Sequence, residues 1–191
     1  MINLRMNSLS NLNIAIIGHG AWATTIANHV GINNNVNLWC YKQESAEILE
    51  KQREHPKLPG IKISHTINIT SNLKKALDQV DAIILCVPSQ FIEETIEKLK
   101  TIYIPNTPFL NLTKGIVSTR YILIHDYLKQ HIKQLNYAVL SGPNLAVEIA
   151  QKKPAAAVIA SENKETQLFF QSLLAHNNFR VYRSDDIVGV S

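Results

Sequence analysis

The 191-residue chain has little of several residues and patterns that carry common chemistries, and each shortage excludes something. There are two cysteines, Cys40 and Cys86, far apart and each at or within an apolar, strand-like segment. They fit no metal spacing and read as buried, reduced thiols of a cytoplasmic protein. No run is long and apolar enough to span a membrane. Residues 1–11 lack the continuous apolar stretch of a signal peptide. They read as a short flexible tail ahead of one domain over residues 12–191. His65, His125, His131 and His176 lie apart on surface-like segments, so they read as solvated side chains without a metal cluster. Neither Gly-x-Ser-x-Gly nor a phosphate-loop Gly-Lys-Ser/Thr occurs, which removes support for a nucleophile elbow and for nucleotide hydrolysis. Like charges are not clustered: the net +4 comes from Lys and Arg scattered among acids. That argues against nucleic acid and leaves a modest field that favours phosphorylated ligands. Repeats, low-complexity stretches and linkers are also missing.

What is present is an ordinary globular balance, 46% apolar and 18% charged, with strands and helices alternating. Ile14–Ile17 is a short apolar strand; Trp22–Val30 reads as the helix that packs back on it. Val36–Cys40 is a second strand, and Gln43–Arg53 a helix with Ile48 and Leu49 facing inward. A loop with two prolines follows, then a strand within Ile61–Ile69. A helix over Ser71–Asp78 would be capped by Ser71 or Thr70. Asp81–Pro88 is a near-continuous apolar run, as expected of a central parallel strand covered on both faces. Ser89 would cap a helix over Gln90–Lys100. Further strands are expected at Phe109–Thr113, Tyr137–Leu140, Ala155–Ala160 and Phe179–Arg183. Helices are expected at Tyr121–Lys133, Leu145–Gln151 and Glu165–Leu174. The pattern predicts an α/β, Rossmann-like, doubly wound and mostly parallel sheet with helices on both faces.

Ligands of such sheets bind beyond the carboxyl ends of the strands, and three turns fall there. The first, Gly18-His19-Gly20-Ala21-Trp22-Ala23, has the form Gly-x-Gly-x-x-Ala of a dinucleotide pyrophosphate grip. Gly18 would make the tight turn and Gly20 would let phosphate oxygens reach the backbone. Ala23 would keep helix and strand close, and the helix start would hold the anion. After the second strand, Tyr41-Lys42-Gln43 has no acid to accept from a ribose 2′-hydroxyl; Lys42 can pair with a 2′-phosphate and Tyr41 can flank adenine. That favours NADP, with NAD as the alternative, although Lys42 also fits a solvated helix start. Phe91 could reach the adenine side but reads first as core. The second turn carries Lys114, the one charged residue directly after a central strand. Its ammonium could oppose the negative charge that grows on a ketone oxygen, or form a surface ion pair. The third, Ser141-Gly142-Pro143-Asn144, offers small groups that hydrogen-bond a ligand, and equally an ordinary helix cap.

In this order the pieces Ile17-Gly-His-Gly-Ala-Trp, Asn37-Leu-Trp, Leu58-Pro-Gly-Ile-Lys, Val87-Pro-Ser, Thr113-Lys-Gly-Ile, Leu140-Ser-Gly-Pro-Asn-Leu-Ala-Val-Glu and Phe179-Arg-Val-Tyr resemble the bacterial type of NAD(P)-dependent glycerol-3-phosphate dehydrogenase. The closing Asp186-Ile-Val-Gly-Val resembles that family's passage out of its nucleotide domain. The resemblance implies reversible reduction of dihydroxyacetone phosphate to sn-glycerol 3-phosphate for glycerophospholipid synthesis. It implies that Ala21, Trp22, Tyr41 and Ala146 contact NADPH, that Lys114 contacts both cofactor and substrate, and that Gly142 and Asn144 line the substrate place. It also implies a C-terminal all-helical domain, with a second, proton-transferring lysine, beyond Ser191. These residues by themselves are therefore expected to hold the cofactor and to be weakly active or inactive. Ala23 stands where many members have glycine, and Lys57 where an aromatic is frequent. A non-catalytic dinucleotide-binding or sensing module remains the alternative, and the assembly state stays open between a single chain and a homodimer.

Overall fold

The apolar runs all enter one sheet, because each is apolar on both faces and needs cover on both. The computed structural model describes residues 9–176 and 178–191. Its strands are β1 (Asn13–Ile17), β2 (Asn35–Trp39), β3 (Ile67–Thr70), β4 (Ala82–Leu85), β5 (Pro108–Asn111), β6 (Ile116–Val117), β7 (Ile122–Leu123), β8 (Asn136–Ser141), β9 (Ala155–Ala160) and β10 (Phe179–Ser184). Its helices are α1 (Ala21–Val30), α2 (Gln43–Gln52), α3 (Leu73–Ala76), α4 (Ile92–Leu99), α5 (Ile124–His131), α6 (Ala146–Ala150), α7 (Lys164–Leu174) and α8 (Ile187–Val190). The main sheet runs β10-β9-β8-β5-β4-β1-β2-β3. Strands β3, β2, β1, β4, β5 and β8 are parallel; β9 pairs antiparallel with β8, and β10 parallel with β9. The expected mostly parallel, doubly wound sheet is therefore present, with two reversed strands at one edge.

Alternate residues of each strand serve two cores. Ile14, Ile16, Leu38, Ile84 and Leu110 pack with residues of α1, α2, α6 and α7. Ile17, Ile83, Leu85, Phe109 and Val139 pack with residues of α3, α4, α5 and α8. Burying one such side chain fully is worth roughly 1.5–3 kcal/mol, so the β1–β4–β5 centre is where the sheet is held most firmly. The chain winds outward from β1 to β3, then returns to lay β4 on the other side of β1. That reversal opens a crevice above the β1/β4 pair, where open α/β sheets bind ligands.

Several expectations need correction. Ile48 is exposed; Ala46 and Leu49 are the buried face of α2. Asn72, not Ser71 or Thr70, caps α3, its side chain accepting from the Lys75 amide. Ser89 caps nothing by its side chain; Ser89–Phe91 forms a 3-10 turn before α4. The helix expected from Tyr121 starts at Ile124, because Ile116–Val117 and Ile122–Leu123 first pair as a small hairpin. Tyr121 sits at its tip in a left-handed conformation, 85% exposed. His125 is buried, not solvated, and His131 is half-buried with Nδ1 2.8 Å from the Tyr127 carbonyl. Most of the expected tail, residues 1–8, lies outside the described residues. Its remaining part is tethered: Leu9 packs against the core and the Asn11 amide donates to the Asn33 carbonyl at 2.8 Å.

Both thiols are buried, and burial pushes Cys40 up to about 12 and Cys86 higher still. Because the thiolate is the reactive form, iodoacetamide at about pH 8 is expected to label neither cysteine in native protein within the time that labels both in urea. Rapid native labelling, read by mass spectrometry, would contradict this packing. Helix α7 supplies a second check. Asn163 Oδ1 accepts from the amides of Glu165 (2.9 Å) and Thr166 (3.1 Å). Asn163→Ala should cost about 1 kcal/mol in urea unfolding.

Candidate functional site

Gly18 and Gly20 do different things in the first turn. Gly18 has φ +122°, and an added Cβ would lie 2.2 Å from the Cys86 carbonyl oxygen. It is the residue that lets β1 turn while β4 passes alongside. Gly20 has φ −67°, and a Cβ there would meet nothing within 4 Å. Its open side is space, so the steric reason for glycine comes from what enters that space. Gly20 offers no side-chain cap to α1, and the amides of His19, Gly20, Ala21 and Trp22 have no acceptor among the described residues. Four free donors at a helix start, with the positive end of its dipole, form an anion cradle. The missing methyl and the orphan amides fit the pyrophosphate of a dinucleotide.

Beside this turn lies a cleft of about 540 Å³. It is lined by Gly18, His19 and Gly20 from the β1 turn, Trp39, Tyr41, Lys42 and Ser45 from β2 and α2, and Val87, Pro88, Phe91 and Thr95 from β4 onward. Its lining is largely apolar and aromatic with few polar groups, as nucleotide and small-molecule sites are. Tyr41 and Lys42 thus reach the same cleft as the glycine turn. Phe91 is 48% exposed at its wall and is not the core residue expected first. The Tyr41 hydroxyl donates to Glu94 Oε1 at 2.6 Å, and Lys98 Nζ sits 4.1 Å from the ring centroid while pairing with Glu94 at 3.1 Å. Glu94 fixes the Tyr41 ring from the opposite lip. No pattern near residue 41 signals it, because α4 is brought there by the sheet order. Ala21 and Trp22 start α1 but do not line the cleft; Trp22 is half-buried against the α1 core.

Lys114 is placed by buried polar residues. Asn111 folds back at the end of β5: its Nδ2 donates to the Thr113 carbonyl at 3.2 Å, and its Oδ1 accepts from the Thr113 amide at 3.0 Å. Thr113 Oγ1 donates to the Val87 carbonyl at 2.9 Å, tying the β5 and β4 ends together. Gly115, with φ +106°, then turns the chain away. The exposed Lys114 ammonium reaches across and donates to the Gly142 carbonyl at 2.7 Å. The second and third turns are thereby joined. The same Gly142 carbonyl accepts from the Asn144 amide at 2.8 Å. Gly142 has no room for a side chain, a Cβ lying 2.7 Å from Asn144 Nδ2 and 2.9 Å from the Ala156 carbonyl. Gly142 and Asn144 line a pocket of about 380 Å³ with Glu148, Val158 and Tyr182. Ala146 opens α6, and its carbonyl accepts from Thr25 Oγ1 at 3.2 Å, which docks α6 on α1. The expected residues therefore gather into two groups along one edge of the sheet: the cleft of Gly18, Gly20, Tyr41 and Lys42, and the Lys114–Gly142–Asn144 cluster. Ala21 and Trp22 lie at the start of α1 and Ala146 at the start of α6, outside both groups.

The site contains no group of three or more His, Cys, Asp or Glu side chains able to hold a metal, among the described residues. No helix among them is long and apolar enough to cross a membrane.

Known proteins share this fold and part of this sequence. The chain is 34% identical over 182 residues to glycerol-3-phosphate dehydrogenase [NAD(P)+] of Bacillus pumilus, covering 93% of this chain and 53% of that one. Against the protein of the same name from Fusobacterium nucleatum it is 35% identical, covering 93% and 54%. The crystal structure of glycerol-3-phosphate dehydrogenase from Coxiella burnetii superimposes with TM-score 0.88 at 30% identity, over 94% of this chain and 55% of that one. A pyrroline-5-carboxylate reductase from the same organism, at 15% identity and TM-score 0.67, shares the fold alone. The chain spans about half the length of the curated relatives it matches. Residues 13–167 match the model of the NAD-dependent glycerol-3-phosphate dehydrogenase N-terminus, and the chain belongs to that family.

Proposed function

We propose that this chain is the cofactor-binding part of a cytoplasmic NAD(P)-dependent glycerol-3-phosphate dehydrogenase. The reaction is the reversible reduction of dihydroxyacetone phosphate to sn-glycerol 3-phosphate, which supplies glycerophospholipid backbones. The observation that carries this reading is the Lys114–Gly142 hydrogen bond of 2.7 Å. It sets a cation from β5 against a small-residue turn from β8, on the same sheet edge as an anion cradle whose amides are free.

The amides of residues 19–22 and the start of α1 would hold the pyrophosphate. Tyr41, held by Glu94, and Phe91 offer aromatic walls for the adenosine end. Lys42 lines the same cleft where an acid would otherwise accept from a 2′-hydroxyl, which supports NADP over NAD. A bound reduced nicotinamide supplies the hydride. Lys114 would hold the ketone oxygen and oppose the charge that grows on it as the carbon is reduced. Asn111 and Thr113 keep that ammonium at the strand end, and Gly142 and Asn144 leave room for a small phosphorylated ketone beside it.

Titrating the chain with NADPH, read by nucleotide fluorescence, should show saturable binding. Following NADPH absorbance after adding dihydroxyacetone phosphate should show little or no oxidation by these residues alone. Absence of saturable binding overturns the cofactor reading. Oxidation at the rate of the longer relatives would show that these residues carry a complete active site.

A further inference from the structure

His19 is a feature that the glycine turn does not need. It stands between Gly18 and Gly20, half-buried, and lines the cleft of about 540 Å³ beside the free amides. Its ring has no hydrogen-bond partner among the described residues. A second histidine, His55, lies within electrostatic reach of it on a loop held by several hydrogen bonds. The Arg53 guanidinium, in the left-handed C-cap of α2, donates to the Ser64 carbonyl at 3.0 Å and the Ile67 carbonyl at 2.9 Å. Glu54 accepts from Lys62 Nζ at 2.7 Å and from the Gly60 amide at 3.0 Å. Asn28 of α1 donates to the Lys62 carbonyl at 2.9 Å and accepts from the Ser64 amide at 3.0 Å. These bonds clamp the loop on α1 and hold His55 near His19.

The two rings are not equivalent. The Lys57 amide donates to His55 Nδ1 at 3.1 Å, so that nitrogen is an acceptor and the ring is held neutral with Nε2 as its donor. His19 has no such constraint and is the free base of the pair. Burial holds the His19 proton affinity below the ordinary histidine value. Burial does the same for His55, with His19 and the Lys57 charge adding to it. The other titratable groups at the cleft are Tyr41 and Lys42 on the β2–α2 side and, at the lip, Glu94 and Lys98 of α4, which pair with each other against the Tyr41 ring; the lining from β4 onward, Val87, Pro88, Phe91 and Thr95, does not titrate. The Glu94 carboxylate at the lip is taken up by Lys98 and Tyr41, and no carboxylate lines the cleft itself. An entering dianion is thus the natural counter-charge for a protonated His19, and it reverses the balance that keeps the ring neutral.

We propose that binding of a nicotinamide dinucleotide to this cleft is coupled to proton uptake by His19, making His19 a charge-reading contact to the pyrophosphate. The proton comes from solvent and goes to the unpartnered ring nitrogen; no bond of the nucleotide changes. The inference rests on the cofactor reading above and adds to it a residue and a pH dependence. The sign follows from linkage: a group whose proton affinity rises on binding makes binding tighter as pH falls, between its bound and free values.

The test is titration of the chain with NADH, whose pyrophosphate stays fully ionised throughout, at fixed ionic strength from about pH 6 to about pH 8. NADPH serves as a parallel probe, with its own 2′-phosphate titration taken into account. Calorimetry in buffers of different ionisation enthalpy counts the protons taken up. A shift of roughly one pKa unit makes binding a few-fold tighter at about pH 6 than at about pH 8, with uptake peaking at about half a proton. His19→Ala should abolish both the uptake and the pH slope while leaving far-UV circular dichroism and the urea midpoint unchanged. His55→Ala should keep the uptake. Saturable binding with no proton uptake, or uptake that survives in His19→Ala, overturns the proposal while leaving the cofactor reading intact. Absence of saturable binding of either nucleotide at every pH overturns both.

Discussion

Replacing Gly18 with alanine is expected to destabilise the domain by roughly 2–6 kcal/mol and to abolish nucleotide binding with it. Two costs add. A side chain at φ +122° sits where L-residues are strained, at about 1–3 kcal/mol. The new methyl would also press on the Cys86 carbonyl at 2.2 Å, and backbone cannot rotate away as a side chain does. Forcing atoms into a packed centre costs about another 1–3 kcal/mol. The damage falls between β1 and β4, the pair on which both cores depend. Gly20→Ala makes the contrast. Its methyl would enter open space with an ordinary φ, so urea unfolding should move by no more than about 1 kcal/mol. Affinity for NADPH should nevertheless fall at least about tenfold, because that space is where phosphate oxygens must approach the amides. A Gly18→Ala protein of wild-type stability, or a Gly20→Ala protein of wild-type affinity, would show that these roles are misassigned.

Lys114→Ala is expected to lower kcat/KM for dihydroxyacetone phosphate by about 10²–10³-fold in an active polypeptide that carries this domain, the usual cost of removing one donor to a developing oxyanion. Folding should not follow. The ammonium is exposed and its one hydrogen bond among the described residues is to the Gly142 carbonyl. Surface substitutions of this kind stay within about 0.5 kcal/mol. Saturable binding of NADPH should persist, because the glycine turn and the Tyr41–Phe91 cleft are formed by other elements. Equal loss of turnover and of thermal stability would point to a structural lysine, and unchanged turnover would remove Lys114 from the reaction.

Much of this was legible in the chain. The strands of the sheet centre announce themselves as unbroken apolar runs, since a strand covered on both faces has no polar side to interrupt it. Ile14–Ile17 and Asp81–Pro88 are such runs, and they are neighbours in the sheet. The glycine turn was legible because its spacing fixes local backbone geometry. Local signals failed where a neighbour distant in sequence decided the outcome. Ile48 looks inward by helical spacing, yet the packing of α2 rests on Ala46 and Leu49. Tyr121 to Leu123 carry helical spacing, yet Ile116 and Val117 claim Ile122 and Leu123 as strand partners first. His125 lies on a polar-looking helix, but its ring packs 4.8 Å from that of Tyr137 on β8. Phe91 follows an apolar strand and looks like core, but the 3-10 turn at Ser89–Phe91 swings it to the cleft wall.

The sequence by itself determined the alternating architecture, the strand–glycine–helix cradle, and the identities of Lys114, Gly142 and Asn144 as candidates. These follow from periodicity, backbone freedom and local spacing, which act over a few residues. The tertiary structure alone decided which candidates meet. It set Lys114 on the Gly142 carbonyl, Glu94 on the Tyr41 hydroxyl, and His55 within electrostatic reach of His19. Those meetings depend on the order of strands in the sheet and on a loop clamped to α1. Both are settled by burial and pairing over the whole chain, and no short stretch of residues contains them.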